Sequence, residues 1–367
     1  MSIRKIAVLG AGNGGCAAAA DLTLRDYEVR LYSRSQTTIQ PITDKGGIEI
    51  LEDGKERLAQ PSLITSDLGA AIKGADLILI AAPSVAHEYL ATALASQLRE
   101  EQIVFLNPGH TGGSLHLAQV LRKMRPKLNA RLCETVTLTY ICRIKGPGQV
   151  EVYCRTSARC AAFPGKWTDE LVPLIREIFP SVVPATNVME TGLSNINAIM
   201  HPAGMLANAG WIERRSGDFL FYSEGITPAV ANVIAAVDSE RLRIVKGLGL
   251  PPRSFVEIFY QAGLTTDAAR ASGSVYEAIR ESGPNKTIKS PATLRHRYLN
   301  EDVAYGLVPM AELGRLLGIQ TPVIDSLIEL ASVMNHADYR KEGLTLGKMG
   351  LSGVKPQEFD AILQEGF

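Results

Sequence analysis

Hydrophobic and polar residues follow two different patterns along this chain. As far as about residue 185 the apolar residues come in short solid blocks; beyond it they recur every three or four positions. The first block, Ile6-Ala7-Val8-Leu9, ends on glycine and opens into the alanine-rich run Cys16 to Arg25, and Glu28 to Tyr32 follows at once. Solid apolar blocks between turn residues predict strands buried on both faces, with helices between them. Ala75 to Ala82 and Ile103 to Leu106 are further blocks of this kind, with helices expected over Asp67–Lys73 and Val85–Leu98. Gly47 to Leu51 and Arg57 to Leu58, on either side of Asp53-Gly54, predict a hairpin, and Leu63-Ile64 a short strand. From Arg131 the stretch RLCETVTLTYICRIKGPGQVEVYC is rich in β-branched residues, and Gly146-Pro147-Gly148 marks its turn. A strand over Ala158–Phe163 and a helix over Asp169–Phe179 complete what reads as extra sheet added to the first half.

After Pro184 the pattern becomes helical. Met189–Ile212 (with Pro202 inside it), Pro228–Gly247, Pro252–Gly263, Leu307–Leu317 and Thr321–Asn335 all carry apolar residues at helical spacing. The expectation is therefore an α/β domain with a doubly wound parallel sheet, of the Rossmann type, over residues 1–185, and an all-α domain over 186–367. The leucine-containing helix 321–335 suits a core or an interface equally well.

The turn after the first strand carries the first chemistry. It reads GAGNGG, with Gly10, Gly12 and Gly15 in the G-x-G-x-x-G spacing and Asn13 and Gly14 between them. Between a strand and a helix this spacing predicts dinucleotide binding: a tight turn, a close approach of backbone to pyrophosphate, and close helix–strand packing. The helix N-terminus supplies free N–H groups and the positive end of its dipole. The second strand ends in Ser33-Arg34, where an NAD-selective turn would carry an acidic residue for the ribose hydroxyls. Arg34 suits a 2′-phosphate, which favours NADP(H) over NAD(H). Ala82 and Pro83, and Asn107 and Gly109 after the Ile103–Leu106 strand, fall at the carboxyl edge where such sheets bind ligands. His110 and His116 read as solvated-loop or helix-cap residues, and Glu134, Thr137 and Cys142 as structural.

Composition narrows the function classes. The 367 residues balance 38 basic against 38 acidic side chains, with no basic run, which gives no electrostatic case for nucleic acid. The longest apolar stretch, Ala75 to Pro83, is too short for a bilayer, and the chain enters a strand too early for a signal peptide. Five cysteines without a C-x-x-C suit reduced thiols in the cytoplasm, and six histidines without ligand spacing predict no metal.

The second half adds Asn195-x-Asn197-x-x-x-His201-Pro202. Asn197 and His201 share a helix face, Pro202 disturbs the helix there, and Ala203-Gly204 leave room for a ligand. A hydride-transfer enzyme needs a proton partner, a task suited to histidine near neutral pH. Further on, Arg297-Tyr298-Leu299-Asn300-Glu301-Asp302 offers Arg297 as a fork for a carboxylate and Asp302 as a group to hold the His201 imidazole in one tautomer.

With GAGNGG, SNINAIMHP at 194–202 and RYLNEDVAYGLVP at 297–309, the chain resembles the octopine/nopaline (opine) dehydrogenase family, including relatives that act on N-(1-carboxyethyl) amino acids. The resemblance spans nearly the full length. It implies a Rossmann domain followed by a helical domain of the 6-phosphogluconate dehydrogenase C-terminal type, with substrate in the cleft between them. By the same resemblance His201 is the catalytic histidine, Asp302 its partner, Arg297 the arginine engaging the 2-oxo acid, and Asn197 an upstream substrate-binding asparagine. The implied partners are a 2-oxo acid such as pyruvate and an amino acid, condensed to an imine and reduced, while exposed helical faces in such a second domain offer a surface for a homodimer. Two alternatives stay open: a ketopantoate reductase-like or glycerol-3-phosphate dehydrogenase-like reductase, which would rely on lysines such as Lys246, Lys286 or Lys289, and a non-catalytic NADP-binding sensor.

Overall fold

A computed structural model describes residues 2–367. Among the described residues twelve strands run in chain order: β1 (Lys5–Leu9), β2 (Glu28–Tyr32), β3 (Ile48–Glu52), β4 (Lys55–Ala59), β5 (Leu63–Thr65), β6 (Leu77–Ile80), β7 (Ile103–Leu106), β8 (Arg131–Thr135), β9 (Tyr140–Gly146), β10 (Gln149–Arg155), β11 (Ala158–Phe163) and β12 (Val182–Pro184). Eight of them form one sheet in the order β12-β11-β8-β7-β6-β1-β2-β5. Its neighbours pair in parallel except β8 with β11. From β5 to β8 this is the doubly wound order, and the chain reverses direction across the sheet between β1 and β6. The solid apolar blocks behave as their pattern predicts: Val8, Leu79 and Phe105 are fully buried. Each such side chain stabilises the unit by roughly 1.5–3 kcal/mol relative to exposure.

The extra strands divide between two sheets, which the sequence pattern does not separate. β8, β11 and β12 lengthen the main sheet, whereas β9 and β10 join the β3–β4 hairpin in a four-stranded sheet ordered β4-β3-β10-β9. β3 pairs antiparallel with β4 across Asp53-Gly54, both at positive φ, and parallel with β10. Two residues at positive φ give the turn the twist a tight hairpin needs.

The chain divides into two compact units. The first comprises residues up to Gly109, Gly113–Thr191 and Asp360–Phe367; the second comprises His110–Gly112 and Gly192–Phe359. Relative to a single boundary at 185/186, residues 186–191 and the last eight residues pack with the sheet unit, and three residues of the β7 exit loop pack with the helical one.

The expected run 189–212 is broken into three helices, Val188–Gly192, Ile196–Ala207 and Ala209–Arg215; the first lies in the sheet unit up to Thr191, and the other two lie in the helical unit. Pro202 does not end its helix, which continues to Ala207. The helix Pro228–Gly247 begins at Thr227, whose hydroxyl accepts the Val230 N–H. From that helix, Arg241 and Asp238 form a buried ion pair; Arg241 donates to the Leu193 carbonyl, and Asp238 accepts the Phe255 N–H. Glu240 accepts the Val323 and Ile324 N–H groups and so caps the helix Pro322–Asn335. That last helix buries Ile324, Ile328 and Ala331 and exposes Leu330, Val333 and Met334. Among the described residues no helix is long and apolar enough to cross a membrane.

Candidate functional site

The sheet unit gathers its candidate residues at the carboxyl edge of the main sheet. Gly10 has φ +118° and an added Cβ there would lie 2.5 Å from the Ala81 carbonyl oxygen. A Cβ at Gly15 would overlap the Gly10 carbonyl oxygen, and one at Gly14 would lie 2.5 Å from Leu138. These three glycines are matched to protein neighbours. Gly12 is not: a Cβ there meets nothing within 4 Å. Gly12 also begins the helix Asn13–Leu24 with no side chain capping it, so the first-turn N–H groups are left for a ligand. The open space at Gly12 and the uncapped helix start leave backbone donors unobstructed at the turn where the sequence analysis expects a pyrophosphate.

Asn13 has a second task. Its side-chain oxygen accepts the Ile144 N–H at 2.7 Å, which ties β9 to the glycine turn. A cavity of about 320 Å³ beside the turn is lined by Ala11, Cys16, Thr38, Ile42 and the Gly146–Gln149 turn. Burial pushes the Cys16 thiol up to about 12, so it stays protonated near neutral pH. At the end of β2, Ser33 is half-buried, while Arg34 is exposed and stacks its guanidinium over the Tyr89 ring at 5.1 Å. Ala82 is half-buried and Pro83 exposed, just beyond β6.

Asn107, directly after β7 at the carboxyl edge, has its side chain turned into the protein. It is fully buried; its amide donates to the Thr139 hydroxyl at 2.8 Å, and its oxygen accepts from the Thr139 N–H at 3.0 Å and the Thr135 hydroxyl at 3.3 Å. These bonds hold β8 and the following turn, and they use one of the two amide N–H groups. Glu134 is likewise buried, accepting from the Ser114 N–H at 2.9 Å and the Thr191 hydroxyl at 2.5 Å. Burial pushes its carboxyl up to about 7, against these hydrogen bonds, which pull it down.

The helical unit brings the two strongest candidates into contact. His201 lies mid-helix in Ile196–Ala207, and its Nδ1 is 2.8 Å from Asp302 Oδ2. Both residues are only 4 % exposed. Asp302 ends the helix Arg297–Asp302, which runs directly into a π-helical turn, Val303–Leu307, and then the helix Val308–Leu316. Gly306 in that turn packs against Ala198, and a Cβ there would overlap the Ala198 side chain. The small–small contact lets the two segments approach closely enough for a carboxylate one turn away to reach the imidazole. π-turns of this kind are often found at functional sites.

His201 has other neighbours that its motif does not reveal. Its Nε2 is 2.9 Å from the Tyr222 hydroxyl, and the Tyr298 ring stacks on the imidazole with centroids 3.6 Å apart and planes 11° apart. Tyr222 is set in place by the backbone, since Phe221 N–H donates to the Ile288 carbonyl and Ser290 N–H to the Phe219 carbonyl. Gly204 does not leave room for a ligand: a Cβ there would lie 2.7 Å from the Phe221 ring. Pro202 leaves the Ala198 carbonyl without its usual helical donor, because proline has no N–H.

Arg297 shares a helix with Asp302 but does not touch the histidine pair. Its side chain is half-exposed, and its Nε and one terminal nitrogen lie 3.1 and 3.0 Å from Glu301 Oε2. The other oxygen of the buried Glu301 is 3.4 Å from His110 Nε2. His110 is thus neither solvated nor a cap: it is buried at φ +56° against this carboxylate. His116 is buried too. His296 starts the Arg297 helix, its Nδ1 accepting the Tyr298 N–H; burial, His201 and Arg297 together hold its pKa below the usual histidine range. Asn197 lies one turn before His201, half-buried. Lys246, Lys286 and Lys289 are all exposed, and Lys289 pairs with Asp218, which leaves the lysine-based alternative without a buried constellation.

Tyr222 and His110 carry no spacing signal. Tyr298 and Glu301 stand inside the Arg297–Asp302 motif, where helical geometry puts Glu301 one turn from Arg297.

Comparison with known proteins agrees with both halves of this description. Residues 184–335 match the family model described as NAD/NADP octopine/nopaline dehydrogenase, alpha-helical domain, and residues 6–155 match the model for ketopantoate reductase PanE/ApbA. An opine dehydrogenase of Arthrobacter sp. (strain 1C) is 39% identical over 350 residues, 95% of each chain. The octopine dehydrogenase of Pecten maximus is 24% identical over 98% of each chain. Among solved structures, an octopine dehydrogenase described with NADH and pyruvate superposes with a TM-score of 0.78 at 22% identity, covering 99% of this chain and 98% of that one. A yersinopine dehydrogenase with NADP+ bound superposes at 0.72 and 16% identity, covering 100% and 98%.

Proposed function

The chain belongs to the octopine/nopaline (opine) dehydrogenase family, NAD(P)-dependent oxidoreductases acting on CH–NH donors, and from that premise we propose how its own residues divide the work. The reaction is the reductive condensation of a 2-oxo acid such as pyruvate with the amino group of an amino acid, and its reverse. The nicotinamide supplies the hydride that reduces the imine.

His201 is the proton donor to the departing oxygen during condensation and the base in the reverse oxidation. The observation that carries this reading is the buried His201–Asp302 contact, 2.8 Å between Nδ1 and Oδ2. Asp302 accepts from Nδ1–H, which fixes the tautomer, leaves Nε2 as the working nitrogen, and favours the imidazolium when it forms. Arg297 binds the oxo-acid carboxylate. Its half-exposed guanidinium already faces one carboxylate, that of Glu301, and retains terminal N–H groups for a second. Asn197, one turn from His201, contributes an amide to the same substrate. Gly12 and the helix start at Asn13 receive the pyrophosphate. Ser33 and Arg34 receive a 2′-phosphate, so NADPH is the preferred reductant; no acidic residue stands at that strand end to take the ribose hydroxyls.

The test is oxidation of NADPH and of NADH with pyruvate, offering the twenty amino acids one at a time. Oxidation that needs both pyruvate and an amino acid supports the reading; oxidation with pyruvate alone makes the enzyme a simple ketoacid reductase. His201→Ala should lower kcat by about 100-fold or more with the coenzyme Kd within about twofold. Equal loss of turnover and coenzyme binding would remove His201 from the chemistry.

A further inference from the structure

The reductive reaction consumes one proton from solution in each turnover. An ammonium RNH3+, the oxo acid R′C(=O)COO−, NAD(P)H and H+ become RNH2+–CHR′–COO−, water and NAD(P)+. A C–N bond forms, the carbonyl C–O bonds break, the oxygen leaves as water, and the hydride reduces the carbon. If His201 donates a proton to that oxygen, it must be reloaded before the next cycle. Yet His201 is only 4 % exposed and its Nδ1 faces Asp302, so the proton has to return to Nε2.

The group at Nε2 is Tyr222. Its hydroxyl lies 2.9 Å from that nitrogen and 3.4 Å from the hydroxyl of Tyr298. Tyr222 is buried, whereas Tyr298 is half-buried and lies with its ring flat on the imidazole. The four groups therefore run from a buried carboxylate, through the imidazole and a buried phenol, to a half-buried phenol. A phenol has a single proton, so the chain has two orders. With His201 neutral, Tyr222 donates to Nε2 and Tyr298 donates to Tyr222. With His201 protonated, Nε2–H donates to Tyr222 and Tyr222 donates to Tyr298. Passing from one order to the other moves one proton along the chain.

We infer that Tyr222 and Tyr298 form a proton relay that reloads His201 Nε2 after each reductive turnover and drains it in the oxidative direction. Transfer through Tyr222 is a paired exchange, one proton in and one out, so the phenol keeps its single proton throughout. The stacked Tyr298 ring also stabilises the imidazolium through its π-face while it waits for substrate. The inference rests on the reading of His201 as proton donor.

Tyr222→Phe and Tyr298→Phe keep the rings and remove the hydroxyls. With pyruvate and the amino acid selected in the assay above, Y222F should lower kcat about tenfold or more while KM for coenzyme and pyruvate stays within about twofold. Added imidazole, at fixed pH and ionic strength, should restore much of the lost rate in a concentration-dependent way. Y298F should show a smaller loss with the same rescue. An unchanged kcat in Y222F overturns the relay, as does a lowered kcat that imidazole does not raise in a protein of wild-type melting temperature. H201A separates the two levels: if it turns over normally, the reading of His201 fails; if it is inactive while Y222F is normal, only the relay fails.

Discussion

At the scale of single residues, similar-looking side chains have been given different work by burial. Arg297 and Arg241 are both arginines beside carboxylates. Arg241 is 1 % exposed and its donors go to Asp238 and to backbone carbonyls, so it holds helices together. Arg297 is half-exposed with one carboxylate partner, Glu301, among the described residues, so it retains donors for a ligand. Among the described residues Arg34 has no carboxylate partner, and it rests on Tyr89. That isolation makes it the residue to test for coenzyme choice: Arg34→Ala should raise the NADPH KM about tenfold, in line with one lost charge-assisted phosphate contact. The NADH KM should move less than twofold. Equal effects on both coenzymes, measured by steady-state oxidation, would assign Arg34 to adenine stacking alone. The histidines show how much of this was legible in the sequence. His201 stood out because a hydride enzyme needs a proton partner and a motif surrounded it. His110 and His116 lie near a turn in the sequence, which suggested solvent, but the fold buries both. A turn in sequence does not fix which neighbours will cover it.

At the scale of elements, the glycine turn separates two uses of one residue type. Gly15 is small because the Gly10 carbonyl occupies the place of its Cβ; Gly12 is small although nothing in the protein fills that place. Gly15→Ala should therefore disrupt the packing of β1 against its helix and lose several kcal/mol or the fold itself. Gly12→Ala, at φ −84°, should keep its melting temperature within a few degrees and lose coenzyme affinity. Thermal melts and coenzyme titration of the two variants check the contrast; a G12A protein that binds coenzyme normally would remove the close approach at Gly12. The helical elements were legible where a cap or proline marks them. Pro228–Gly247 follows its apolar period from end to end. The run 189–212 was not, because periodicity continues across the breaks at 193–195 and Asn208, where tertiary contacts decide the path. The π-turn at 303–307 leaves no sequence signature, because only packing of Gly306 against Ala198 requires it.

At the scale of the whole molecule, stability should carry the mark of one buried acid. Glu134 sits under the turn after β7, and burial raises its carboxyl from 4.5 to about 7. A group whose pKa is raised on folding contributes its stability fully below the unfolded value and loses it as pH rises through the folded value. The Glu134 contribution is thus present below about pH 4.5 and fades up to about pH 7, a swing on the order of 3 kcal/mol. Glu134→Gln keeps the shape without the titration. Relative to that variant, the natural protein should lose stability between about pH 4.5 and about pH 7, seen as a growing gap in melting temperature that levels off above it. Parallel curves across that range would show that Glu134 does not titrate on unfolding.

The sequence by itself determined the fold class, the glycine turn and the helical second half, and it singled out His201 and Asp302 as separate candidates, whose contact across 101 residues only the structure shows. These follow from local period, from backbone freedom at glycine, and from a motif whose residues have a chemical reason to occur together. Only the tertiary structure decided which strands share a sheet. β10, with β9 on its other side, pairs with one strand of a hairpin some hundred residues earlier, and strand pairing leaves no mark in local period. It likewise decided that Asn107 is a buried strut, that Glu301 links Arg297 to His110, and that Tyr222 meets the nitrogen of His201. Each of these depends on a contact between residues far apart in the chain, and sequence spacing constrains only what lies within a turn or two.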